Sequence, residues 1–201
     1  YEFKTSKNPV DYQYFYQFYW ALELIKINNS ENHIDIGSEI QFVGILSMFK
    51  KVTFLDIREL KLNLPNLQAI QGSVTKLPFQ TESIKSVSIL HVFEHLGLGR
   101  YGEKIDVNAY KNAANEIERI ISKNGKLYFS TTIGEERIQF NAQIVFNPNT
   151  ILKLFKKFKL ISFSVVDSSG NYYKVEDINK YEFNKLGGND FELGLFEFEK
   201  K

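Results

Sequence analysis

Apolar positions along the chain recur with two periods, and the two alternate. Residues 11–28, DYQYFYQFYWALELIKIN, place aromatic and aliphatic side chains at helical spacing without Gly or Pro. This predicts an amphipathic helix packed on the fold, with a lid over a substrate as its functional alternative. Short apolar runs then predict strands at 33–37 (HIDIG), 52–57 (VTFLDI), 67–72 (LQAIQG), 86–92 (SVSILHV) and 126–133 (KLYFSTTI). Helical spacing returns at 39–49 and at 107–123, where Asp106 stands as an N-cap and Asn124-Gly125 as a stop signal. A helix is predicted over 149–158 with Pro148 near its start, then strands at 159–168 and 191–200 with a polar, Gly- and Asn-bearing loop between them.

Strand and helix alternate through the first five strands, so the economical fold is α/β, a parallel sheet with helices on both faces. No helix separates the last two strands, and without a crossover they must pair antiparallel. Neither a repeat nor a linker divides the chain. It reads as one domain over 1–201, an N-terminal helical segment (1–30) followed by the α/β core (31–201).

Composition narrows the function. Of 201 residues 43% are hydrophobic, enough for a full core. The 25 basic and 24 acidic residues leave a net charge of +1, and the basic run KLFKKFK is offset by DFELGLFEFE. A broad basic face for nucleic acid is therefore not expected. Cysteine is absent, which excludes disulfides and thiolate zinc sites. No apolar run approaches the roughly 20 residues that span a bilayer. No signal-peptide pattern stands out, and a cytoplasmic protein is expected.

In an open parallel sheet, ligands bind outside the carboxyl ends of the strands, near the point where strand order reverses. The strand ends form an ordered set. The first reads Asp35-Ile36-Gly37-Ser38, where glycine lets backbone N–H groups approach a ligand and the next helix offers its positive end. The second ends in Asp56, nineteen residues after Gly37, where a nucleoside-binding sheet places an acid on ribose hydroxyls. The third ends in Gly72-Ser73-Val74.

HIDIGSE, VTFLDIR, IQGSVTKLPF, IKSVSILHVFEHL and ISKNGKLYFST resemble, in order, the motifs of class I S-adenosylmethionine-dependent methyltransferases. The resemblance covers about residues 30 to 133. It implies a three-layer Rossmann-like sandwich, a seven-stranded, mostly parallel sheet whose antiparallel last strand inserts beside the sixth. It implies S-adenosyl-L-methionine as cofactor, with Asp35, Gly37 and Ser38 along its methionine part, Asp56 on the ribose and Ile57 beside the adenine. Gly72, Ser73 and Val74 would border the adenine, and Leu90 and His91 would close the pocket. GLGRYG, residues 97–102, further resembles a segment of poorly characterised bacterial methyltransferase-like proteins.

Two departures bear on the cofactor. The family's first loop usually reads Gly-x-Gly-x-Gly, whereas here Glu39 and Gln41 stand where the second and third glycines would be. Either Glu39 turns away as an early helix residue, favoured by the helix dipole, or it crowds the cofactor and the chain is a non-catalytic, methyltransferase-like protein. Ser73 stands where many relatives carry aspartate.

His91-Val-Phe-Glu94-His95 matches the H-x-x-E-H string of inverted zinc proteases. The context argues against them. His91 ends a β-rich run, and Gly97 and Gly99 follow within four residues of His95, leaving room for one helical turn. The segment also resembles that of quinone-biosynthesis O-methyltransferases, which implies an optional divalent metal and leaves a metal-assisted enzyme using His91, Glu94 and His95 as an alternative. Methyl transfer from a sulfonium depends mostly on placement. A hydroxyl acceptor gains from a base, and histidine suits that work near neutrality. His91 is the first candidate, His95 the second, with Glu94 beside them. Arg100 and Tyr101, flanked by glycines, are candidate contacts to a phosphate or carboxylate on the substrate. Asn141 and Gln143 suit a polar, uncharged acceptor. A small-molecule or saccharide substrate is expected.

Overall fold

The computed structural model describes residues 10–100, 104–139, 142–181 and 191–201. Its elements follow the predicted order: α1 (Tyr12–Ile27), β1 (Asn32–Ile36), α2 (Ile40–Leu46), β2 (Lys51–Asp56), β3 (Leu67–Gln71), β4 (Ile84–Leu90) and a 3₁₀ turn at Phe93–His95. Then come α3 (Ala109–Ile120), β5 (Ile121–Ile133), a hairpin of β6 (Arg137–Gln139) and β7 (Gln143–Val145), and α4 (Pro148–Leu154). The chain closes with β8 (Phe158–Val166), β9 (Tyr172–Val175) and β10 (Glu192–Lys200).

The main sheet runs β3-β2-β1-β4-β5-β10-β8-β9. The first five strands of that order are parallel, and β10 lies antiparallel between β5 and β8, the inserted last strand that was expected. The sheet has eight strands rather than seven because Tyr172–Val175 adds an antiparallel edge to β8. Strand order reverses between β1 and β4.

Alternate strand residues feed two cores. Ile34, Ile36, Val87, Ile89, Leu127 and Phe129 face α3 and α4, where Ala113, Ile117, Ile151 and Phe155 complete one cluster. Phe155 is its hub, with ring centroids 5.2 Å from Phe129 and 5.4 Å from Phe198. On the opposite face Phe54, Leu90, Tyr128 and Leu195 meet Trp20, Ala21 and Ile25 of α1 and Phe42, Val43 and Leu46 of α2. The predicted three layers are thus present.

Several boundaries differ. Asp106 does not cap α3: Asn108 occupies the N-cap position, and the Asp106 carboxylate accepts from the Asn108 N–H at 2.9 Å, a turn rather than a cap. Asn124-Gly125 does not stop the helix, which ends at Ile120. Asn124, at φ +60°, instead turns a bulge in β5, so that Ile121 pairs with Ile84 and pairing resumes at Ser86 and Lys126. The predicted helix over 149–158 ends at Leu154, because Phe155 and Phe158 are both drawn into the core. Among the described residues no helix is long and apolar enough to cross a membrane.

Candidate functional site

A cavity of about 330 Å³ opens at the carboxyl ends of β1, β2, β3 and β4, at the strand-order reversal. Its size falls in the range of small-molecule sites, roughly 300–1,000 Å³. A larger hollow of about 1040 Å³ lies at the amino ends of the strands, bordered by Asn32, Ile84 and Lys126. The smaller one sits where an open α/β sheet binds ligands.

Gly37, Asp56, Ile57, Gly72, Ser73 and Val74 line the cavity, and His91 and His95 stand on its β4 side. Gly37 has φ +66°, donates its N–H to Leu55 O at 2.8 Å, and lies so close to Val92 that an added Cβ would come within 3.2 Å of it. Asp56, at the end of β2, is buried, and its carboxylate is held by Arg58 through the backbone N–H (2.7 Å), Nε (2.9 Å) and Nη2 (2.8 Å). Burial pushes the Asp56 carboxyl up, but the Arg58 hydrogen bonds and charge outweigh it and hold it below its ordinary value. Arg58 went unread in the sequence, although an arginine two residues after an acid is a ready local partner.

Asp35, Ser38 and Leu90, expected around the cofactor, are not among the lining residues. Asp35 is buried beneath the Gly37 turn, accepting from the Ser38 N–H (3.1 Å), the Ser38 hydroxyl (2.8 Å) and the Ser88 hydroxyl. The Ser38 hydroxyl in turn accepts from the Leu90 N–H at 3.2 Å. These groups shape the loop from below. Leu90 points into the core beneath α1 and α2. Strand parity is the signal that was available: Ser86, Ser88 and Leu90 share one face of β4, which is the face opposite Val87 and Ile89.

Glu39 is the N-cap of α2 and its carboxylate accepts from the Gln41 N–H at 2.6 Å, so it turns onto the helix and does not line the cavity. Glu39→Gly should therefore change the affinity for an adenosyl ligand less than about threefold while costing helix stability only a few tenths of a kcal/mol. Calorimetric titration and chemical denaturation read the two effects separately, and a large gain in affinity would show that Glu39 obstructs the site.

β4 ends at Leu90 because His91 takes φ +56°, a conformation that residues other than glycine adopt at a cost. The turn brings the His91 Nδ1 onto the Glu94 carboxylate. Glu94 is fully buried, and its other oxygen accepts from the Thr131 hydroxyl at 3.1 Å. Burial pushes the Glu94 carboxyl up, and the charge and hydrogen bond of His91 bring it below its ordinary value. Glu94 thus orients the ring, and in the neutral imidazole it places the proton on Nδ1 and the lone pair on Nε2.

His95, also on the cavity wall, is held by different partners. Its Nδ1 lies 3.2 Å from Ala142 O and 3.1 Å from Arg100 Nη1, which also donates to Ala142 O at 2.9 Å. Burial lowers the His95 pKa, and Arg100 adds to this against the pull of Glu94. Arg100 is exposed on this side and does not line the cavity. Among the described residues no three His, Asp or Glu side chains form a group that could hold a metal ion. Tyr101 and Asn141 lie outside the described residues, and Gln143 donates to Gln139 within the β6–β7 hairpin at 3.1 Å.

The strand order and the position of the cavity define a methyltransferase-like Rossmann fold, and solved structures share it. The N-methyltransferase NodS from Bradyrhizobium japonicum WM9, solved in complex with S-adenosyl-L-homocysteine, aligns over 98% of this chain and 91% of its own at 11% identity and TM-score 0.62. The 1,6-didemethyltoxoflavin-N1-methyltransferase of Burkholderia thailandensis aligns over 92% and 78% at 11% identity and TM-score 0.64. The [4+2]-cyclase SpnF aligns over 89% and 79% at 10% identity and TM-score 0.65. At such identities the likeness establishes the fold. Residues 31–186 match the family model described as Caenorhabditis protein of unknown function, DUF268, and the chain belongs to that family. That description lends no support to the bacterial affiliation expected from GLGRYG. No curated protein matches the chain.

Proposed function

We propose that this protein is an S-adenosylmethionine-dependent methyltransferase that methylates a hydroxyl of a small-molecule or saccharide acceptor, with His91 as the base. The observation that carries the reading is the cavity at the strand-order reversal, with a left-handed Gly37 turn on one side and a buried acid, Asp56, on the other. A cytoplasmic location belongs to the same reading.

The residues present fit the cofactor. Gly37 borders the cavity with bare backbone, and Val92 already crowds the position a Cβ would take. Asp56 has acceptor capacity beyond the three Arg58 bonds. The Arg58 side chain that covers it is largely exposed. Ile57 and Val74 would flank the base. Bound S-adenosylmethionine supplies an electrophilic methyl group on a sulfonium, a leaving group that needs no acid. The chain's part is to place the acceptor and receive its proton. His91 Nε2 accepts that proton, the Glu94 carboxylate stabilises the resulting imidazolium, and Thr131 holds Glu94 in place.

Titration with S-adenosylhomocysteine tests the reading. Saturable binding is expected, weakened about 10- to 100-fold in Asp56→Ala, the loss of a charge-assisted hydrogen-bond acceptor. Absence of binding at millimolar ligand would sink it. The clasp of Arg58 on Asp56 favours the alternative, a non-catalytic relative that closed its ribose site, and the same titration separates the two.

A further inference from the structure

Four polar side chains form a row along the sheet face that α1 and α2 cover. The His33 imidazole lies between two hydroxyls of β4, with Nδ1 2.7 Å from Ser86 Oγ and Nε2 2.8 Å from Ser88 Oγ. Ser88 Oγ also bonds Asp35 Oδ2. All four residues are at most 1% exposed. Asp35 Oδ2 is shared with the Ser38 hydroxyl (2.8 Å) and Oδ1 takes the Ser38 N–H (3.1 Å), so the row ends under the Gly37 turn. The charged and titratable groups around it are already engaged. Asp56 of β2 is clasped by Arg58, and the Lys50 ammonium is tied to the carbonyls of Asn28 (2.6 Å) and Ser30 (2.8 Å). The Tyr128 hydroxyl of β5 accepts from Asn28 Nδ2 at 2.9 Å. From the helices come the apolar Trp20, Ala21, Phe42 and Val43, and Gln17, whose Oε1 accepts from the Ser130 hydroxyl.

Proton counting gives this row two states. Ser88 has one hydroxyl proton and two acceptors within reach, Asp35 Oδ2 and His33 Nε2. With Asp35 ionised, the Ser88 proton goes to the carboxylate, His33 donates from Nε2 to Ser88 Oγ, and Ser86 donates to Nδ1. A proton added to Asp35 sits on Oδ2, because Oδ1 faces the fixed Ser38 N–H. It points to Ser88 rather than Ser38. The Ser38 oxygen already accepts from the Leu90 N–H, and its proton bonds no other acceptor among the described residues. The Ser88 proton then turns to His33 Nε2, so the imidazole carries its proton on Nδ1 and donates to Ser86. We propose that Ser86, His33, Ser88 and Asp35 form a buried proton relay that couples the charge of Asp35, under the Gly37 turn, to the tautomer of His33. Ser86, as it takes up a proton, gives its own to Nδ1, Nε2 gives its proton to Ser88, and Ser88 gives its proton to Asp35. Each relay member keeps its proton number, and only Asp35 gains one. Burial raises the Asp35 pKa to about 7 and lowers that of His33 to about 3, so the relay turns over near neutrality with the ring uncharged. The ionised state holds the Gly37 turn more firmly, since bonds from Ser38 to a carboxylate are charge-assisted.

Nuclear magnetic resonance of ¹⁵N-labelled protein reads the tautomer directly, since protonated and bare ring nitrogens resonate far apart. The chain has three histidines, so substituting each in turn assigns the signals. His33 should change from the Nε2–H to the Nδ1–H form as pH falls through about 7, without both nitrogens becoming protonated. The Ser38 amide proton, which donates to Asp35, should shift over the same interval. Asp35→Asn sets an NH₂ donor where the protonated Oδ2 would be, its orientation fixed by the Ser38 N–H. It should hold His33 in the Nδ1–H form on both sides of that pH. Ser88→Ala should abolish the response of His33 while the Ser38 amide still shifts. A wild-type His33 that keeps one tautomer across the interval would overturn the proposal. So would an Asp35→Asn protein with His33 in the Nε2–H form. Should either variant fail to fold, the wild-type titration still decides. No ligand enters these measurements, so absence of S-adenosylhomocysteine binding would refute the methyl-transfer reading and leave the relay standing.

Discussion

Gly97→Ala is expected to destabilise the protein by about 2–5 kcal/mol, the sum of a left-handed backbone cost and an overpacking cost. Gly97 has φ +76°, and an added Cβ would lie 2.0 Å from Asp106 O and 3.0 Å from the Ala109 Cβ. Neither obstacle is the far end of a flexible side chain. The Asp106 N–H donates to Gly97 O at 3.1 Å, so the two backbones are already joined at close range. Accommodating a methyl group means breaking that join and shifting the start of α3. The cavity wall would move with it, since Gly97, Asp106 and Ala109 all border the site. Urea denaturation gives the stability change, and S-adenosylhomocysteine titration should show a parallel loss. Gly44→Ala is the internal control. Gly44 sits within α2 with nothing inside 4 Å of an added Cβ, and alanine there should stabilise by about 0.5–1 kcal/mol. A Gly97→Ala protein as stable as wild type would show that the loop yields easily and does not hold the site.

The second large effect concerns acid stability. His33 is buried between the hydroxyls of Ser86 (2.7 Å) and Ser88 (2.8 Å), and Ser88 donates onward to Asp35. Burial, with a smaller contribution from Lys50, lowers the His33 pKa to about 3. Burial raises the Asp35 pKa to about 7, against the hydrogen bonds from Ser88 and Ser38 and with the charge of Asp56. The two linkages have opposite signs. Folding binds neutral His33, so its contribution is full above the ordinary pKa near 6.5 and drains away as pH falls toward 3. Folding also prefers protonated Asp35, so its contribution is full below the ordinary value of 3.8 and is lost as pH rises through 7. Between pH 7 and 4 the two largely offset each other. In Asp35→Asn the compensation is gone, and stability should fall by a few kcal/mol over that interval, while wild type changes much less. Urea midpoints measured in steps across the interval check this, and parallel profiles for the two proteins would refute it.

Much of this architecture is legible in the chain. The alternation of strand and helix runs defines the parallel sheet, and the absence of a helix before the last strand dictates its antiparallel insertion. What escaped were elements that exist only through a neighbour. Tyr172–Val175 is too short to stand out, and it becomes a strand because the free edge of β8 offers it partners. Asn124-Gly125 carries a genuine turn signal. Whether that turn ends a helix or bulges a strand depends on the pairing of Ile121 with Ile84.

The site divides in the same way. Its location, and Gly37, Asp56, Gly72, Ser73 and Val74 among its lining positions, follow from one-dimensional rules about strand ends, because a parallel sheet presents those ends together whatever their side chains do. The pairing within the site does not follow from such rules. Asp56 with Arg58, Asp35 with Ser38 and Ser88, His91 with Glu94 and Thr131, and Gln17 with Ser130 are chosen by distance and by the need of every buried polar group for a partner. Several join residues dozens of positions apart. Sequence alone thus determined the fold class and which strand ends border the cavity. Only the tertiary structure decided which polar groups pair with one another to hold the loops, since desolvation acts on groups that folding brings together.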